Sequence, residues 1–250
     1  MKIGAQLYTV KDLCKTTQEF SETLHKLYKI GYRDVQISAI NFPPEEIRKI
    51  CDEAGMKIII THSHPDRILH ETAAVIEEHR ILGCDYVGIG ALPTQYERSN
   101  EGIKRFAEDF SKAGRILKEN GMTFHYHNHS FEMEKTDGKM WFDTMIEESD
   151  PEVFFFILDV YWIQHGGLSP VEYINKLGTR IKVLHYKDFA IRDWKQKFAS
   201  IGSGNLNWNE IISASLQNHI PYAMIEQDAD FIDDPISELE RSFLFLKGKY

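Results

Sequence analysis

Cysteine is scarce in this 250-residue chain: Cys14, Cys51 and Cys84 are odd in number, widely spaced and form no Cys-x-x-Cys pair. Free thiols in a reducing compartment are expected rather than a disulfide scaffold. Long apolar runs are missing too; none reaches the ~18 residues of a membrane span. The opening Met1-Lys2-Ile3-Gly4-Ala5-Gln6-Leu7-Tyr8 alternates like a strand and lacks the basic start and apolar stretch of a signal peptide. Positive charge is in short supply, with 29 Lys and Arg against 38 Asp and Glu, a formal net charge of −9 and a pI of about 5.7. An acidic surface disfavours a phosphodiester backbone. These absences point to a cytoplasmic protein with a small-molecule ligand and with neither nucleic acid nor membrane as partner. A homo-oligomer is compatible with them. There is no linker, low-complexity tract or charge block.

What is present is a steady alternation of short β-rich runs and helical stretches. The runs are Ile3–Tyr8, Asp34–Ser38, Lys57–Thr61, Tyr86–Gly90, Met122–His127, Val153–Leu158, Ile181–Tyr186 and Tyr222–Glu226. Helical patterns lie between them, at Thr16–Ile30, from Pro43-Pro44 to Gly55, Pro65–Leu82, Glu101–Asn120, Trp141–Glu148, Pro170–Leu177, Trp208–Asn218 and Pro235–Lys247. Pro at helix starts and Gly at helix stops punctuate the pattern. Strands alternating with helices imply a parallel sheet. Eight such units in 250 residues predict an α/β fold, a (β/α)₈ TIM barrel spanning residues 1–250 as one domain. An open doubly wound sheet would carry a Gly-rich turn after its first strand. Here that turn is Thr9-Val10-Lys11-Asp12.

In such barrels the active site is built where strands end. The residues there are polar almost throughout: Gln6 and Tyr8, Gln36, His62 and His64, the trio His125, His127 and His129, Asp159, His185 with Lys187, and Glu226 with Asp228. Three apolar strands run out into Asp159, His185 and Glu226. A charge at the end of a buried run is costly unless paired or metal-bound. A mixed oxygen and nitrogen set on adjacent strands suits one divalent metal ion, Mn²⁺, Co²⁺, Zn²⁺ or Mg²⁺.

Several segments carry a resemblance: "IGAQLYTVKD", "GYRDVQIS", "YHNHSFEM", "LDVYWIQHGG", "VLHYKDF", "IGSGNLNW" and "IEQD". The chain resembles the sugar phosphate isomerase/epimerase family, the xylose-isomerase-like barrels. The resemblance implies one metal held by Glu, Asp, His and Glu from strands five to eight. Asp159, His185 and Glu226 match the last three. His127 falls where many relatives carry the first Glu, so Glu132 is expected as the fourth ligand, with His127 as the competitor. Gln36 stands where relatives often have Glu. The family's three-zinc DNA-repair endonucleases need a further histidine where this chain has Trp162 and an Asp-x-His pair at about Gln196 and Phe198, which leaves a single metal.

The resemblance further implies proton transfer next to a carbonyl through a metal-stabilised enediolate. Glu226 and the Glu132/His127 position form the expected acid/base pair. His62, His129, Trp162, Lys187 and Tyr8 are the expected contacts of a sugar substrate, and His165 and Asp228 stand behind them. An isomerase or epimerase on a sugar or keto-sugar is the first expectation. A metal-dependent lyase or dehydratase on a keto-sugar or inosose-type substrate is the second. A non-catalytic sugar-binding barrel is the third.

Overall fold

The computed structural model describes residues 1–250. Eight parallel strands close into a barrel: β1 (Lys2–Gln6), β2 (Asp34–Ile37), β3 (Lys57–His62), β4 (Tyr86–Ile89), β5 (Thr123–His127), β6 (Phe154–Asp159), β7 (Ile181–Tyr186) and β8 (Tyr222–Ile225). Each pairs with its sequence neighbour, and β8 returns to β1 with Ile3 opposite Ala223. Around it run α1 (Thr17–Ile30), α2 (Pro44–Glu53), α3 (Pro65–His70), α4 (Thr72–Leu82), α5 (Asn100–Glu119), α6 (Trp141–Glu148), α7 (Val160–His165), α8 (Pro170–Leu177), α9 (Trp208–Gln217) and α10 (Pro235–Leu246). No helix is long and apolar enough to cross a membrane.

Strand parity decides what faces where. On β6, Phe154, Phe156 and Leu158 turn toward the helices, and Phe154 meets Phe106 of α5 with ring centroids 5.9 Å apart. The alternate residues turn inward, so Ile157 packs with Ile60, Val183 and Met224 in the barrel interior. Gly4 makes room for them: a Cβ there would stand 2.4 Å from the Met224 sulfur. Continuing each inward series by two residues reaches Asp159 after Ile157, His185 after Val183 and Glu226 after Met224. Packing of the interior thus aims the polar strand ends at one another.

The first strand stops at Gln6, and Leu7–Leu13, with Tyr8, forms a 3₁₀ helix. A small hairpin, Lys135–Thr136 with Lys139–Met140, is also absent from the sequence pattern, and other segments differ from it. The helix expected over Pro65–Leu82 is two helices, because Glu71 leaves helical geometry (φ −128°, ψ 33°). The Thr72 hydroxyl bonds the Ile68 carbonyl at 2.7 Å, competing with the backbone for a helical acceptor. The stretch 189–200, without an element in the pattern, is an antiparallel hairpin of Asp188–Arg192 with Lys195–Ala199. Its turn residues Asp193 and Trp194 both have positive φ, as a two-residue hairpin turn requires. A short helix, α7, also follows β6 directly.

Candidate metal centre

Four side chains from four adjacent strands converge at the C-terminal mouth. One ligand atom each from His127, Asp159, His185 and Glu226 lies within 4.8 Å of all the others, and all four residues are buried. Asp159 divides its carboxylate between two tasks. Oδ1 caps α7, accepting from the backbone N–H groups of Tyr161 (2.9 Å) and Trp162 (3.1 Å). Oδ2 faces the cluster, 3.3 Å from His127 Nε2.

The two imidazoles are oriented from behind. His127 Nδ1 lies 3.0 Å from the Gly90 carbonyl, which only accepts, so this nitrogen carries the proton. His185 Nε2 lies 2.8 Å from Gln36 Oε1, while the Gln36 amide nitrogen turns to Ser38. Each ring therefore spends its N–H outward and presents a lone pair inward. Those lone pairs meet carboxylate oxygens: His185 Nδ1 is 3.0 Å from Glu226 Oε2. Two acceptors at that distance are tolerable only with a proton or a cation between them. Imidazoles held by an outer N–H···O bond, with carboxylates beside them, are the arrangement of a metal centre. The residues present therefore suit a divalent ion, and a cation there would satisfy His185 Nδ1, which has no hydrogen-bond partner.

Lys187 shares the cluster. Its Nζ lies 2.8 Å from Glu226, 3.3 Å from Asp159 and 3.0 Å from Asp228. Burial opposes the ammonium charge, but Asp159, Glu226 and Asp228 outweigh it and hold the pKa above that of an ordinary lysine. Burial likewise opposes the Glu226 charge, yet Lys187 and His185 keep Glu226 well below the usual carboxylate range. Asp228 is pushed up to about 6 by burial and by Glu226. Three carboxylates against one ammonium leave the mouth electronegative. The Trp162 and Phe198 rings form an apolar wall, their centroids 5.5 and 5.7 Å from the Lys187 nitrogen.

Glu132 does not join the cluster. It lies in a short 3₁₀ turn, Phe131–Met133, and its carboxylate accepts from the Tyr126 hydroxyl at 2.5 Å and from the His129 N–H at 2.9 Å. Tyr126 belongs to the outward series of β5 and packs on Phe106 of α5. The structure thus turns Glu132 toward the helical layer, and His127 stands at the fourth position in its place. Burial pushes the Glu132 pKa up to about 7.

Of the other expected residues, His62 sits over the cluster, its ring 5.5 Å from that of His127 and 5.9 Å from that of His185. His129 lies 4.8 Å from His127 and 5.2 Å from Trp162. His62 Nε2, His129 Nδ1 and Trp162 Nε1 are buried without hydrogen-bond partners. Burial lowers the pKa of both histidines, that of His129 to about 3, so both rings are neutral. Tyr8 stays apart: it is 38% exposed, with the Lys11 ammonium over its ring at 3.9 Å. Asn128, which the sequence does not single out, accepts the Asp159 N–H at 2.9 Å and fixes the end of β6 against β5.

A family profile, xylose isomerase-like TIM barrel, matches residues 24–224. The chain belongs to this family. Among curated proteins, it is 27% identical over 162 residues to an inosose dehydratase of Clostridium beijerinckii, covering 64% of this chain and 52% of that one. The chain thus spans about half of that relative's length. To the inosose dehydratase of Clostridium perfringens strain 13 it is 23% identical over 247 residues, covering 91% of this chain and 81% of the relative. Among solved structures, a sugar phosphate isomerase/epimerase from Parabacteroides distasonis superposes with a TM-score of 0.84 at 25% identity, covering 98% of this chain and 97% of that one. The IolI protein with a binding zinc atom superposes with a TM-score of 0.74, covering 100% and 99%. At 14% identity that second likeness is one of fold.

Proposed function

We propose that the chain is a metal-dependent lyase that dehydrates a polyhydroxy ketone, with His127, Asp159, His185 and Glu226 as the metal ligands. A divalent cation held by these four residues would supply Lewis acidity to a substrate carbonyl. Zinc in the IolI protein and the inosose dehydratase relatives support this reading.

The observation that carries it is the turn of Glu132 away from the mouth. A carboxylate on each face of the substrate suits epimerisation, where one face gives up the proton and the other receives it. Here strand five offers imidazole instead, leaving Glu226, one of three carboxylates around Lys187, as the base. An elimination needs one base and one acid. Glu226 takes the proton from the carbon next to the carbonyl. The electron pair moves into a carbon–carbon double bond as the β-hydroxyl departs. Glu226 hands the proton it has taken to that hydroxyl, which leaves as water, while the His129 nitrogen turned to the site hydrogen-bonds the departing oxygen. His62 holds a further hydroxyl, the Trp162 face lies along the carbon skeleton, and Lys187 balances the negative charge of the mouth.

The test is incubation of the metal-loaded protein with inosose-type ketones and 3-keto-sugars. Growth of enone absorbance in the ultraviolet is expected. Exchange of the α-proton with solvent deuterium, without enone or dehydrated product, would favour the isomerase or epimerase reading, which the likeness to the Parabacteroides protein supports.

A further inference from the structure

The carboxylate oxygens that face the two imidazoles are Asp159 Oδ2, 3.3 Å from His127 Nε2, and Glu226 Oε2, 3.0 Å from His185 Nδ1. The Lys187 ammonium contacts those same two oxygens, at 3.3 and 2.8 Å. Asp159 has no second oxygen to offer, because Oδ1 is taken by the backbone N–H groups of Tyr161 and Trp162 that open α7. Lys187 cannot withdraw into water either. Its side chain is 2% exposed, and the Trp162 and Phe198 rings close off one side of the nitrogen. Its remaining contact is Asp228 Oδ2 at 3.0 Å, on a side chain that is 24% exposed. Asp228 is thus the carboxylate of the three that reaches toward solvent.

We infer that Lys187 is a built-in competitor of the metal: its ammonium and a divalent ion draw on the same two oxygens, Asp159 Oδ2 and Glu226 Oε2, which holds the affinity of the centre below what its four donors would give. The inference rests on the reading of His127, Asp159, His185 and Glu226 as ligands and names what regulates that same site. Two cations on common oxygens repel each other, and burial removes the water and salt that would screen them. Each shared oxygen also gives less of its charge to either cation. Asp228 makes the sharing tolerable. An ammonium has three N–H donors, one for each carboxylate here. The donor on Asp228 keeps its partner when the two shared oxygens turn to the ion. A centre built this way takes up its ion reversibly.

The experiment is zinc affinity, measured by chelator competition at one fixed pH on the wild type and on Lys187→Met, Lys187→Gln and Lys187→Arg. The two neutral variants are expected to bind zinc about tenfold tighter or more. Lys187→Arg keeps the charge and is expected to bind no tighter than the wild type. Glutamine retains N–H donors for the carboxylates, so it serves where methionine leaves the metal-free chain unfolded. Folded neutral variants that bind zinc no tighter than the wild type would overturn the inference. So would an arginine variant as tight as the neutral ones, since charge would then not be the cause. A second readout needs no variant. In wild type labelled with ¹⁵N-lysine, saturating zinc is expected to shift the Lys187 ammonium signal, and a signal that stays in place would overturn the inference as well. Zinc bound by the wild type but no tighter by the neutral variants sinks this inference alone. Zinc bound by none of the four proteins sinks the ligand assignment beneath it.

Discussion

His185 and Gln36, 149 residues apart in sequence, meet across the barrel mouth with Nε2 and Oε1 2.8 Å apart. The amide oxygen fixes which imidazole nitrogen carries the proton and turns the other toward Glu226. Replacing Gln36 by Leu removes that acceptor. Partners of this kind are worth about 10- to 100-fold in metal affinity. The Gln36→Leu variant is expected to bind zinc weaker by that factor in a chelator competition, with an unchanged circular dichroism spectrum. Wild-type affinity would show that packing alone orients His185.

Metal content is expected to separate His127 from Glu132. His127→Ala, Asp159→Ala and His185→Ala are each expected to lose bound metal after dialysis against metal-free buffer while staying folded. Glu132→Gln is expected to keep it. Metal lost from Glu132→Gln and retained by His127→Ala would restore the carboxylate as the ligand.

Glu132 also sets a pH dependence. Burial raises its pKa from 4.5 to about 7 in the folded chain, so the folded protein holds a proton that the unfolded chain releases. The stabilising effect of that proton is complete below about pH 4.5 and is lost as the pH rises through about 7. At about 1.4 kcal/mol per pKa unit, ionisation costs on the order of 3 kcal/mol above that pH. Glutamine cannot ionise. Glu132→Gln is therefore expected to gain on the wild type as the pH rises from 4.5 to beyond 7, measured by urea unfolding of metal-free protein. Parallel stability curves would contradict the shift.

Lys187→Met leaves Asp159, Glu226 and Asp228 facing one another without a cation. Removing one partner of a buried ion pair costs about 3–5 kcal/mol. The loss is expected in the metal-free protein and is reduced when zinc is added, because a divalent ion restores positive charge to the same carboxylates. Calorimetric melting with and without zinc measures it. Equal losses in both states would show that Lys187 does not share the cluster's charge.

Much of this was legible beforehand because strand parity is a local rule. Ile157 to Asp159, Val183 to His185 and Met224 to Glu226 are steps of two, and an apolar interior below dictates what lies above. Glu132 lies away from the cluster, where spacing does not place it, because parity ends with the strand. Past His127 the chain enters a 3₁₀ turn, and its direction depends on the Tyr126 hydroxyl and the His129 N–H, neither of which spacing reveals. Gln36 stood out only as a departure from a pattern, since its partner lies on a distant strand. The break at Glu71 falls inside one continuous helical pattern, so spacing alone joins the two helices.

The pairing of the first strand with the last, Ile3 opposite Ala223, also fixes an order of events during synthesis. Until β8 has left the ribosome, the growing sheet keeps two bare edges, each able to recruit another chain. His127, Asp159 and His185 are by then already made, yet Glu226 lies just beyond that final strand. An ion in the proposed centre would meet all four side chains only after the sheet is able to shut, so its uptake would report that closure is complete.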